Sequence, residues 1–377
     1  MTKTFLPEEV HYITNLLFNM KLFEDKLRDN YKRASSGEDA YTYYDNNQQE
    51  KIVEVRELLN RWFENYPEEN KLELQQSFKN SFYNAFYELF IHETFYCQGY
   101  KLQVHPSLDN SSKRPDFLAK KDKEEFYIEA TTVSYITDAE SRSENFKQKF
   151  IDELNKMNSP NFWLALKKIE FKKGKFPKVK TLRKEIEQEL NKINPIDIET
   201  RQKNNLLTHE LKFDDDNILI VLTLFNKSEA AKKNVNSRPI GLQFSPVTIK
   251  NADEDPDKIL KAFKSKAGWY GELNKPFIIC LNLDFNFNLK HDVDWAFYNR
   301  KSFNSVKPKF SKASAAFVSH VSVGNIFNLP KYRLILNKHS TYPLEIEKLE
   351  FSYEDNEVES KRKNIDEILN LNKKPRS

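Results

Sequence analysis

Two carboxylates set in β-rich sequence are the residues of this chain best placed to do chemistry. Asp116 lies in Arg114-Pro115-Asp116-Phe117-Leu118, and Glu129 follows in Tyr127-Ile128-Glu129-Ala130-Thr131. Pro115 fixes its own φ and pushes Arg114 into an extended shape, which places a bend just before Asp116. Phe117 and Leu118 start a strand, Lys120 to Glu125 is a charged turn, and Phe126-Tyr127-Ile128 resumes β-rich sequence. Two antiparallel strands joined in this way bring Asp116 and Glu129 to one end of a sheet. Carboxylates at close range repel unless a cation separates them, and oxygen ligands select a hard ion such as Mg²⁺ or Mn²⁺. The same pattern also describes a plain hairpin with solvated acids, so the flanking elements have to decide.

Upstream, Ser81 to Gln98 reads as a helix with Phe82, Phe86, Leu89, Phe90 and Phe95 mostly on one face, closed by Gly99. Tyr100 to Val104 then alternates as a strand. Downstream, Lys258 to Tyr270 reads as a helix that carries Lys261, Lys264 and Lys266 and leads into a buried strand, Phe277-Ile278-Ile279-Cys280-Leu281. His92 stands one helical turn beyond Glu88, within reach of whatever Glu88 touches.

In this order the elements resemble the PD-(D/E)xK, or restriction-endonuclease-like, nucleases. They are most similar to a largely uncharacterised bacterial branch with Glu-Ala-Thr where Glu-x-Lys is usual. The resemblance spans roughly residues 80 to 345. It rests on the helix around Glu88-Leu89, Pro115-Asp116-Phe117, Glu129-Ala130-Thr131, Lys266 to Tyr270-Gly271, Pro276-Phe277 with Asn282, and a late Asn337 before Pro343-Leu344. The resemblance implies a metal held by Asp116, Glu129 and the Ala130 carbonyl. A further acid comes from the preceding helix, where Glu88 and Glu93 are the candidates and Glu88 is preferred. The usual lysine is replaced by Thr131, which cannot stabilise developing charge. Relatives of this fold move that lysine to a following helix, and Lys266-x-x-x-Tyr270 resembles the Gln-x-x-x-Tyr helix of RecB-type nucleases. Lys266 is therefore the expected catalytic cation, with Lys261 and Lys264 behind it.

A chain of 377 residues with 39% hydrophobic and 13% aromatic content can bury a large core, which argues against disorder for its bulk. Its net charge of +4 permits a nucleic-acid partner without demanding one. Charge is concentrated between Lys167 and Lys184, where Lys167, Lys168, Lys172, Lys173, Lys175, Lys178 and Lys180 form a candidate phosphate-contacting cluster, or else a solvated face. Asp253 to Asp257 reads as an acidic helix start. Cys97 and Cys280 sit in apolar contexts without disulfide or zinc spacing, which fits a reducing cytoplasm. The first residues lack a long apolar region, and no apolar run approaches the length of a membrane span. Gly-x-Ser-x-Gly and phosphate-loop patterns are absent.

The expected organisation is a helical region over 1–75 that serves as a cap or partner-binding element. A nuclease-like domain over 76–345 follows, with an insertion at about 141–250, and then a charged tail over 346–377 that frays after one apolar helical turn. The expected fold is α/β, with three layers around a mixed central sheet. The expected function is a Mg²⁺-dependent endonuclease acting on DNA in the cytoplasm, in restriction or anti-phage defence, as a homodimer or beside a partner subunit. The competing expectation is an inactive module of the same fold that binds nucleic acid or protein.

Overall fold

The computed structural model describes residues 20–34, 38–109, 111–134, 146–147, 149–172, 178–203, 209–233, 238–243, 255–283, 288–299, 310–328, 330–345, 349–355 and 358–371. Along the chain, helices α1 (Ala40–Asn46), α2 (Glu50–Glu64), α3 (Lys71–Asn80) and α4 (Phe82–Tyr96) precede strands β1 (Lys101–Val104), β2 (Phe117–Lys121) and β3 (Glu124–Val133). Next come β4 (Phe162–Phe171), α5 (Val179–Lys192), α6 (Pro195–Lys203), β5 (Glu210–Asp214), β6 (Ile218–Asn226) and β7 (Ile240–Gln243). The chain ends with α7 (Asp255–Ala267), β8 (Phe277–Leu283), α8 (Leu289–Asp294), β9 (Ala315–His320), β10 (Lys331–Leu336), β11 (Tyr353–Asp355), β12 (Val358–Ser360) and α9 (Ile365–Ile368). Two compact units result. One draws on Met1–Arg33, Glu38–Tyr135 and Asn251–Ser377, the other on Ala34–Gly37 and Ile136–Lys250.

The first unit is built on a mixed sheet in the order β1-β2-β3-β8-β9-β10-β11-β12. β1, β2 and β3 form an antiparallel meander, whereas β8 runs parallel to both β3 and β9. The central strands are apolar on both faces, as strands covered by helices must be. Period-two alternation divides them between two cores. Phe126 and Ile128 of β3, with Ile278 and Cys280 of β8, pack on the side of α4. Tyr127, Ile279 and Leu281 pack on the side of α7, with its Ile259 and Phe263. The arrangement is an α/β fold of three layers. Each fully buried Phe or Ile of β3 contributes about 1.5–3 kcal/mol.

α4 is buried over most of its circumference because helices cover it on the side away from the sheet. Leu59, Trp62 and Phe63 of α2 and Leu74 and Phe78 of α3 share one core with Phe86, Phe90 and Phe95 of α4. The N-terminal helices are thus continuous with the core of this unit. Gly99, at φ 85°, closes the helix in the left-handed region, and Tyr100 N–H donates to the Phe95 carbonyl at 3.2 Å. The C-terminal segment also differs from a frayed tail. β11 and β12 extend the sheet, and Ile365, Ile368 and Leu369 are buried with Phe351. That one apolar turn is sufficient to dock the segment against the core.

The second unit holds a separate sheet, β5-β6-β4-β7, with β7 at the edge. Its core joins Leu164 and Leu166 of β4 and Ile220, Leu222 and Leu224 of β6 with Leu182, Ile186 and Leu190 of α5. β4 continues five residues past its apolar run, to Phe171, through an irregularity between Leu166 and Lys168. The basic cluster therefore begins on a paired strand. Among the described residues of both units, no helix is long and apolar enough to cross a membrane.

Candidate active site

The hairpin positions the acids. β2 and β3 pair with Phe117 opposite Ile128, and Asp116 and Glu129 are the next residues on either side, close enough for the charge of Glu129 to act on the Asp116 carboxyl. The bend is held from both sides: the His105 N–H donates to the Asp116 carbonyl at 2.9 Å, and the Ala130 N–H donates to Asp116 Oδ2 at 2.7 Å. Burial first, and then the charges of Glu129 and Glu88, push the Asp116 carboxyl well above its usual range, against the opposing pull of the Ala130 N–H and Lys266.

Glu129 is nearly sealed from solvent, at 3% exposure, in the middle of the sheet. An isolated carboxylate there would be costly. Two donors from the far end of α7 satisfy it. Lys266 Nζ donates to Oε1 at 2.6 Å, and the Tyr270 hydroxyl donates to Oε2. α7 ends at Ala267, but the turn after it keeps Tyr270 on the same side. Gly268 N–H reaches the Lys264 carbonyl at 3.2 Å, Trp269 N–H reaches the Lys266 carbonyl at 3.1 Å, and Gly271 turns away at φ 76°. Lys261 and Lys264 are exposed. Thr131 carries no charge into the site, and the cation arrives from the crossover helix that leads to β8.

Glu88 is the helical acid that senses the pair. Burial raises its carboxyl, with the charges of Glu73 and Glu129 acting in the same direction, while the Tyr66 hydroxyl and His105 hold it back. Tyr66, which follows α2, donates to Glu88 Oε1 at 2.7 Å. Glu93 is committed elsewhere. Asn65 Nδ2 donates to both of its oxygens, at 3.0 and 3.1 Å, and burial raises its carboxyl to about 7. His92 is buried, with its ring against Tyr66, Phe117 and Tyr96. Burial pushes it down to about 3, so it is a neutral aromatic wedge. Tyr66 goes unmarked in the sequence, because nothing local to it signals a residue whose partner lies on a later helix.

Because the Tyr66 hydroxyl holds the Glu88 carboxyl down, Tyr66→Phe is expected to move the Glu88 titration to still higher pH. It should cost about 1–2 kcal/mol of stability for the bond lost. Carboxyl-carbon NMR titration checks this, and an unmoved Glu88 would show that the bond does not govern it.

Three of the seven lysines in the basic cluster stand in ion pairs within their own unit: Lys167 with Glu210, Lys168 with Glu170, and Lys172 with Asp214. These pairs balance much of the cluster's charge along β4. Lys178 and Lys180 are exposed, and Lys173 and Lys175 lie outside the described residues.

The acids offer an all-oxygen donor set with mutual repulsion that a cation would relieve. No three His, Cys, Asp or Glu side chains among the described residues stand close enough to form a ready cage. A small hard ion that keeps part of its water shell fits such a set better than one that needs every ligand from protein. Comparison of the chain with family models, curated proteins and solved structures returned no match.

Proposed function

We propose that this chain is a metal-dependent endonuclease that hydrolyses DNA phosphodiester bonds on a restriction-endonuclease-like core, in restriction or defence against foreign DNA. The observation that carries the reading is the convergence of Lys266 on Glu129, with Asp116 close by, at the end of the β2–β3 hairpin. Acids alone would suit many cation sites. Acids with a tethered ammonium suit a reaction that develops charge on phosphoryl oxygens.

Asp116, Glu129 and the Ala130 carbonyl would hold Mg²⁺ or Mn²⁺, with Glu88 completing the acidic shell directly or through water. The bound ion supplies polarisation of the phosphodiester and a lowered pKa for its water. Lys266 has two duties: it holds Glu129 in place and offers its ammonium to the charge that builds on the phosphoryl group. Tyr270 fixes the other oxygen of Glu129, so the carboxylate cannot rotate away. Glu88, held by the Tyr66 hydroxyl, adds its charge to the burial and the Glu129 charge that disfavour ionisation of Asp116.

A second reading has its own support. Both oxygens of Glu129 already accept hydrogen bonds, so the carboxylate is satisfied without a metal. An inactive nucleic-acid- or protein-binding module would need no more.

Calorimetric titration with Mg²⁺ and Mn²⁺, followed by incubation with plasmid, linear and single-stranded DNA, separates the two. The nuclease reading expects saturable binding and cleavage that stops on chelation. Binding of DNA without cleavage at any metal concentration would favour the inactive module.

A further inference from the structure

One large aromatic side chain lies beside the acids and takes no part in holding them. Trp269 is 47% exposed. It is fixed in sequence between Lys266 and Tyr270, both of which bond to Glu129, so its backbone cannot wander from the site. Two cations attend the ring. Lys113 Nζ lies 3.6 Å from its centroid, and Lys266 Nζ lies 5.8 Å away while also reaching Glu129. A single lysine therefore spans the acid and the indole. Lys113 and Arg114 are both exposed and directly precede the Pro115-Asp116 bend.

An exposed indole with two lysines beside it presents a flat apolar surface next to groups that attract phosphate. Of the chemical units found in a nucleic acid, the ring suits an unpaired base, and the lysine suits the phosphate attached to it. Paired bases inside a duplex are stacked on each other and offer no free face. Only a single strand, a frayed end or an extruded nucleotide could use this surface.

We propose that Trp269, with Lys113 over it, is a stacking platform for one unpaired nucleobase beside the Asp116–Glu129 pair, and that the site takes its scissile strand with a base unstacked there. On binding, Lys113 leaves the ring for a backbone phosphate and the base takes its place. This inference rests on the nuclease reading and adds a strand preference to it.

The test uses the full chain and a fluorescein-labelled oligothymidylate, compared with a hairpin duplex of equal length, with EDTA present so that cleavage cannot interfere. Anisotropy gives affinity, and Trp emission gives stacking. Trp269→Ala is expected to weaken single-strand binding about 10- to 100-fold and to spare duplex binding, while Trp269→Phe restores most of the affinity. Lys113→Ala should lower the salt slope for the single strand by about 0.7, the share of one phosphate contact. Single-strand affinity unchanged in Trp269→Ala would overturn the platform, as would equal losses for single strand and duplex. If Trp269→Ala instead dissociates a dimer with oligonucleotide affinity intact, the ring is a protein contact and the proposal falls. Absence of both nucleic-acid binding and cleavage in the wild-type chain with Mg²⁺ or Mn²⁺ present would remove the nuclease reading itself, whereas metal-dependent cleavage with a featureless Trp269→Ala would remove only the platform.

Discussion

Asp116→Asn is expected to abolish cleavage and, in chelator at pH 8, to make the protein more stable. Asn keeps an oxygen for the Ala130 N–H, so the bend survives. What disappears is a negative charge placed among Glu129 and Glu88 in a largely buried setting. The folded-state pKa of Asp116 is raised, so its contribution to stability is fully present below its unfolded pKa and is lost as pH rises through the folded value. At pH 8 the wild type has lost part or all of that contribution, and the variant, which has no carboxyl to titrate there, escapes the loss. The effect grows with the difference in proton affinity between the folded and unfolded states, and burial and the neighbouring acids both act to widen that difference. Near pH 4 the advantage should shrink. Calorimetric melting at both pH values in EDTA checks the sign. Magnesium at a hundred times its dissociation constant should then stabilise the wild type by about 2.7 kcal/mol and the variant by much less. A variant that is less stable at pH 8 would mean that repulsion does not govern Asp116. A variant that still cleaves would remove Asp116 from the chemistry.

The acid pair is legible in the sequence because everything that makes it is local. A proline bend, a charged turn and two β-rich runs fix the hairpin, and its register ends with Phe117 opposite Ile128, so that Asp116 and Glu129 come next along the ladder. Lys266 is legible only through the resemblance to the RecB-type helix: nothing local separates it from Lys261 and Lys264, and it is the fold that sets it against Glu129. The length of β4 is not legible. Its second half alternates charged residues with Ile169 and Phe171, and only pairing with the apolar β6 makes a strand of it. The partners of Lys167 and Lys172 come from β5, far along the chain, so in sequence the cluster reads as excess charge. Tyr66 and the C-terminal turn share this difficulty. Each is an ordinary residue or a short apolar run whose role depends on a partner distant in sequence, Glu88 for one and the Phe351 core for the other.

Lys266→Ala separates catalysis from architecture. Among the described residues, the ammonium is the charged partner that Glu129 has in the wild type, and the remaining bond comes from the neutral Tyr270 hydroxyl. Removing it takes away one preorganised stabiliser of transition-state charge, so the rate of DNA cleavage at saturating Mg²⁺ is expected to fall by roughly 10²–10³. It also leaves a carboxylate of 3% exposure with one hydroxyl for company. Breaking a buried pair typically costs about 3–5 kcal/mol, and because the Lys266 side chain keeps 27% exposure, water entering the gap should hold the loss to about 1–3 kcal/mol. The two effects come apart in Lys266→Met combined with Glu129→Gln. With no charge left to strand, that double variant should recover most of the stability and none of the activity. Metal affinity offers a third readout. Glu129 Oε1 is released from the ammonium in Lys266→Ala, so Mg²⁺ or Mn²⁺ binding should be kept or strengthened even as the rate collapses. A single variant that cleaves at the wild-type rate would show that the Lys266–Glu129 bond is structural only. A variant that loses rate and metal binding together would show that the lysine holds the metal site in shape rather than acting on the phosphoryl group.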